Sequence, residues 1–129
     1  MRKVFSITIL VGLLLNSGCI EKKVDLGTFD VQKFKTDRGG CNGKRVEMIN
    51  DLKGVQSKLL GLSQNQIFET LGRYDFQILD RRNQKYFVYY LEKGPHCEQI
   101  QNPTKAQSMA LKFNAVSLVK EVTFQVGMP

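Results

Sequence analysis

Cysteine and histidine are scarce in this 129-residue chain, three of one and one of the other, and their positions set what chemistry it can attempt. Cys19 closes the run Asn16-Ser17-Gly18-Cys19, where small residues follow an apolar stretch and the thiol can take up a diacylglycerol group. Cys41 and Cys97 then remain as an even pair, able to form a disulfide. Two free thiols, or a metal pair completed by His96, are the other chemistries open to them. Two cysteines and one histidine supply at most three ligands, short of the four a structural zinc site takes. No metal or cofactor is expected.

The segment that positions Cys19 has three parts. Met1-Arg2-Lys3 gives a charged start, Val4 to Leu15 an apolar run, and Ser17-Gly18 a small-residue processing site, the parts of a secretory signal. A helix of about 12 residues reaches only about 18 Å, short of the roughly 30 Å hydrocarbon core. Residues 1–18 are therefore expected to be a removable leader rather than a span. Ordinary signal peptidase needs small residues at the last and third-last positions before the cut, and Leu15 and Asn16 spoil the nearby choices. The stretch resembles the bacterial lipobox: Ser17, Gly18 and Cys19 match, and Asn16 stands where leucine is usual. The alternative is a soluble periplasmic protein with a freed leader. Several acyl chains on one residue, each buried methylene adding about 0.8 kcal/mol, hold firmly where one chain does not. The mature chain is thus expected to begin at Cys19, lipid-anchored in the bacterial cell envelope. Ile20, being non-acidic, points to the outer membrane.

Export narrows the other classes. The formal charge of +7 would suit nucleic acid, anionic lipid or plain solubility, and the compartment excludes nucleic acid. In an oxidising compartment the Cys41–Cys97 pair is expected to be bonded. A crosslink closing so long a loop stabilises by about 4 kcal/mol on the chain-entropy view. Catalysis is not expected. His96 sits in the loop Gly94-Pro95-His96-Cys97, the carboxylates are scattered, and neither a nucleophile elbow nor a phosphate cradle occurs.

Residues 19–40 are charged and weakly periodic and read as a membrane tether, with Phe29 and Phe34 as aromatics that could dock on the domain formed by residues 41–129. Val46, Ile49, Leu52, Val55 and Leu59 form one stripe, predicting a first helix from Lys44 to Gly61, weakened at Gly54. Ser63-Gln64-Asn65-Gln66 is a capping box, with Leu62 and Ile67 as its hydrophobic staple, and the helix it starts should stop at Gly72 in a left-handed turn. Beyond Gly72 the period becomes two. Strands are expected over residues 84–91, 109–113 and 118–126, with a further one over 74–80. The loop 92–107 is long enough to need pinning, which a Cys41–Cys97 bond would supply.

The series Leu60-Gly61-Leu62-Ser63, Ile67, Leu71-Gly72, an aromatic strand ending Tyr89-Tyr90-Leu91, and an apolar strand ending at Phe113 before a valine-rich last strand resembles the outer-membrane lipoproteins of the SmpA/OmlA/BamE type. The resemblance spans residues 44–126. It implies an α+β fold, two N-terminal helices packed on an antiparallel sheet of three strands, four if residues 74–80 join it. It also implies a non-enzymatic role among the proteins that assemble outer-membrane β-barrels. This chain departs from typical members at Leu62, Arg73 and Tyr74 and in carrying Cys41 and Cys97.

Two functions remain. The first is a protein-binding accessory module whose contact surface is Tyr86, Tyr89 and Tyr90 on the aromatic strand, with other envelope proteins as partners; the alternative, for at least half of these rings, is that they are core. The second is a lipid- or small-ligand-contacting lipoprotein, with Arg81, Arg82 and Lys85 on a hairpin and Lys44-Arg45 meeting anionic headgroups; the alternative for these charges is a plain solvated turn.

Overall fold

The computed structural model describes residues 24–129. The leader, residues 1–18, and the lipidation site, Cys19, lie outside the described residues. No described helix is long and apolar enough to cross a membrane.

The fold is α+β, several helices and four antiparallel strands. Helix α1 is Val31–Thr36, α2 is Lys44–Glu47, α3 is Ile49–Val55 and α4 is Gln64–Leu71. Strands β1 (Phe76–Leu79), β2 (Lys85–Tyr90), β3 (Gln107–Phe113) and β4 (Val119–Val126) form a meander in sequence order. The β1–β2 and β3–β4 turns therefore share one end of the sheet, and the long β2–β3 connection occupies the other.

Alternation along the strands explains the layering. Phe87 pairs with Leu111 and Leu111 with Val122; Tyr89 pairs with Met109 and Met109 with Phe124. These residues meet Phe34, Leu52, Leu59, Ile67 and Leu71 from the helices in one core. On the opposite face Val88, Tyr90, Ser108 and Ala110 are also fully buried. As expected, Val122 and Phe124 face the core while Glu121 is exposed. Val126, at the strand's end, stays 63% exposed.

The start of α4 follows its sequence signature. Ser63 Oγ accepts from Gln66 N–H, and the Gln66 side chain accepts from Ser63 N–H at 2.9 Å. At the other end Gly72 has φ 79 and ψ −178, an extended conformation that only glycine adopts freely, rather than the left-handed turn expected.

Two further expectations need correction. The stretch 44–61 is not one helix: α2 and α3 are separated at Met48 (φ −98, ψ 1), and residues 56–59 close as a 3₁₀ turn. The break falls at Met48 because Arg45, one position before the apolar stripe, turns inward while Val46 is 40% exposed. Residues 24–40 are also domain rather than tether. Leu26, Phe29 and Phe34 enter the core, and the Phe34 ring lies 5.9 Å from Phe29 and 5.8 Å from Tyr89. Burying three large apolar side chains holds the segment on the domain despite the weak period that made it read as a tether.

Candidate functional site

Three carboxylate and guanidinium groups buried at the long-connection end of the sheet organise the most polar part of the interior. Asp37, fully buried, ends α1 and opens the turn Arg38–Gly40. Its Oδ1 accepts from Asn42 N–H at 2.7 Å and its Oδ2 from Lys44 and Arg45 N–H, both at 2.8 Å. One side chain thereby satisfies the exposed amides that start α2.

Arg45 is 1% exposed. Its Nε donates to Phe34 O at 2.9 Å, and Nη1 donates to Asp75 Oδ2 at 2.6 Å and Tyr90 O at 3.0 Å. The guanidinium lies 4.2 Å above the Phe34 ring, a face attractive to cations. Asp75 completes the network: its Oδ2 also accepts from Tyr90 N–H at 2.8 Å and its Oδ1 from Gly39 N–H at 2.9 Å. Helix, turn and sheet end are thus tied through one ion pair whose side chains are 1% and 2% exposed. Such a pair adds little net stability over an apolar substitute, but breaking it strands a buried charge.

The disulfide stands next to this network. Cys41 and Cys97 Sγ lie 2.00 Å apart with Cα atoms at 5.9 Å, which fastens the β2–β3 connection to the turn before α2. His96 stacks on the Tyr90 ring, centroids 4.0 Å apart. Its Nε2 lies 2.7 Å from Gly39 O. A carbonyl can only accept, so Nε2 carries the proton. In the neutral ring Nδ1, 3.2 Å from Thr104 Oγ1, then accepts from the threonine hydroxyl, whose oxygen accepts from Ala106 N–H at 3.1 Å. Gly39 and Gly40 have φ 70 and 68, and a Cβ on Gly40 would come within 2.7 Å of the Leu91–Glu92 backbone. Only glycine lets the turn lie this close to the strand end.

The Sγ atoms of Cys41 and Cys97 and a ring nitrogen of His96 lie within 4.8 Å of one another, so the sequence's metal alternative is met in space. The sulfurs are spent on each other, however, and a thiolate is the form that ligates. Cys97 Sγ also lies 3.7 Å from Nε2 of its neighbour His96, closer than adjacency in sequence led one to expect. That nitrogen is already engaged with Gly39.

The expected contact residues separate into two groups. Tyr89 and Tyr90 are fully buried and are not a surface, because β2 is an inner strand covered on both faces. Tyr89 Oη donates to Gly72 O at 2.8 Å. Burial, with the Asp75 carboxylate adding to it, pushes the Tyr89 hydroxyl far above the usual tyrosine range, and the same two causes raise Tyr90. The Tyr90 hydroxyl has no hydrogen-bond partner among the described residues. Arg45 is likewise withdrawn from any headgroup. Tyr86 is half-buried with Lys112 Nζ 5.6 Å over its ring, Arg81 and Arg82 are exposed, and Lys85 Nζ reaches Gln64 Oε1 at 3.4 Å. These four gather at the turn end, away from the buried network. Sequence reasoning missed Asp37 and Asp75 and gave Arg45 a surface role; the one available signal was a charge beside each break in the apolar pattern.

Comparison with family models, characterised proteins and solved structures returns no match.

Proposed function

We propose that the chain is a bacterial envelope lipoprotein, cleaved before Cys19 and acylated there, whose domain acts as a non-catalytic protein-binding accessory, with outer-membrane protein assembly or envelope maintenance as its setting. The observation that carries this reading is how soon the domain starts. Val24 already packs against the core, and the five steps from Cys19 to Val24 span at most about 18 Å even fully extended. An acylated Cys19 would hold the domain against the headgroups with no intervening stalk.

The SmpA/OmlA/BamE-type resemblance supports the same reading. In it, residues 44–71 correspond to the helical pair, β2, β3 and β4 to the three-stranded sheet, and β1 is an added strand. The contact surface we assign is the outer edge of β4. Gly61 N–H donates to Val119 O and Val119 N–H to Leu62 O at the start of that edge. Beyond Val119, among the described residues, β4 has no strand on its far side, and an open edge is a template for a partner strand.

Photo-crosslinking from position 121, 123 or 125 in intact cells tests this. An adduct with a defined envelope protein, unchanged at high salt, is the expected result. The absence of any protein adduct from all three positions refutes the accessory role.

A further inference from the structure

We infer that the turn end of the sheet is a docking surface for an anionic lipid membrane, independent of the N-terminal anchor. Two hairpin turns of the same construction meet there. In the first, Asn83 N–H donates to Asp80 O and Asn83 has φ 57; in the second, Ser117 N–H donates to Asn114 O and Ser117 has φ 62. Between them lies a groove of about 530 Å³ with Arg82, Lys85, Lys112 and Lys120 in its walls.

The fourth cation owes its place to an irregularity. Lys112 pairs with Glu121 and Phe113 with Val119, so Lys120 is the extra residue of a β-bulge, a device that re-aims a side chain. No carboxylate lines the groove. Among the described residues the ion pairs are Lys33–Glu47 and Arg45–Asp75, neither of which involves these cations. Two acids are near in sequence. Asp80 Oδ1 accepts from Arg81 N–H at 2.7 Å, and Glu121 sits opposite Lys112 without an ion pair. Four gathered positive charges repel one another and raise the local potential, which favours a multiply anionic partner.

What marks that partner as a lipid surface is the rim. Leu79, the last residue of β1, is 69% exposed, and Val116, in the second turn, is 73% exposed. Leu60, 48% exposed, precedes Gly61, which bonds to Val119 at the same end. Apolar tips around cations are what an interfacial binder presents, the tips entering the headgroup boundary while lysine and arginine meet phosphates. A free phosphate would use the cations and leave the tips in water.

The test uses the full chain reconstituted in vesicles, with an environment-sensitive fluorescent amino acid at position 79, 116 or 126. Position 126 lies at the far end of β4 and serves as the internal reference. In vesicles containing an anionic phospholipid, brominated lipid should quench the probe at 79 and 116 and leave that at 126 untouched. Purely zwitterionic vesicles should show no such contrast. Each charge removed should weaken the contact about fivefold, so Lys112→Gln with Lys120→Gln lowers it about 25-fold; if that pair fails to fold, Arg82→Gln alone gives the single step. Equal quenching in both kinds of vesicle, or quenching at 126, overturns the proposal. Loss of the contact on adding inorganic phosphate at constant ionic strength also overturns it, because the groove would then be a site for the free anion.

Discussion

The two ends of the sheet treat charge in opposite ways. At the connection end Asp37, Arg45 and Asp75 are buried and every one is held by backbone amides, a carbonyl or the opposite charge, with the disulfide and the His96–Tyr90 stack closing over them. At the turn end Arg82, Lys85, Lys112 and Lys120 face a groove without an acid, and Leu79 and Val116 protrude beside them. Charges that are all satisfied make a lock, and charges left uncompensated make a contact surface. A small domain can spend the first on staying folded and the second on meeting something else.

The sharpest way to break this contrast is Arg45→Ala, which leaves the Asp75 carboxylate buried without its cation. The expected cost is about 3–5 kcal/mol, read as a lowered urea midpoint, large against the total stability of a small domain. Replacing both Cys41 and Cys97 by serine should cost about 2–5 kcal/mol on the same readout. Amides of residues 92–106 should then exchange faster, while those of the turn end keep their rates.

Tyr89→Phe comes next, at about 1 kcal/mol for the lost bond to Gly72 O. Its effect depends on pH. The folded-state pKa of Tyr89 lies above the unfolded value near 10. Above about pH 10 the unfolded chain loses this proton while the folded one keeps it, so stability is complete below that pH and falls as pH rises. Urea midpoints measured across this window should decline less steeply in Tyr89→Phe than in the parent. Smallest of all, Arg82→Gln or Lys112→Gln should change stability by no more than about 0.5 kcal/mol while weakening vesicle contact. A turn-end substitution as costly as Arg45→Ala would erase the distinction between the ends.

The legible parts of the fold are those written in short-range pattern. Ser63 and Gln66 announce the start of α4, and the alternation of Val122 and Phe124 announces which side of β4 is core, because capping and pleating act over three or four residues. The buried role of Arg45 was illegible for the opposite reason. Its partners, Asp75 and the carbonyls of Phe34 and Tyr90, lie far along the chain, and a lone charge beside an apolar stripe looks like surface. Tyr89 and Tyr90 stood open between core and contact surface because an aromatic strand reads the same whether it is inner or outer; the position of β2 between β1 and β3 decides for core. The basic groove was half legible. Arg82 and Lys85 are near neighbours in sequence, but Lys112 and Lys120 join them only through the meander and its bulge. Phe29 and Phe34 carried the opposite lesson: two isolated aromatics in a charged segment were the trace of a docked one.

The account turns on whether the domain is held at a bilayer by the sulfur of Cys19. Cells fed labelled palmitate should yield a protein that carries the label and partitions with membranes, and Cys19→Ser should abolish the label and retain the uncleaved leader. A protein that takes up no palmitate, or that keeps its label after Cys19→Ser, contradicts it.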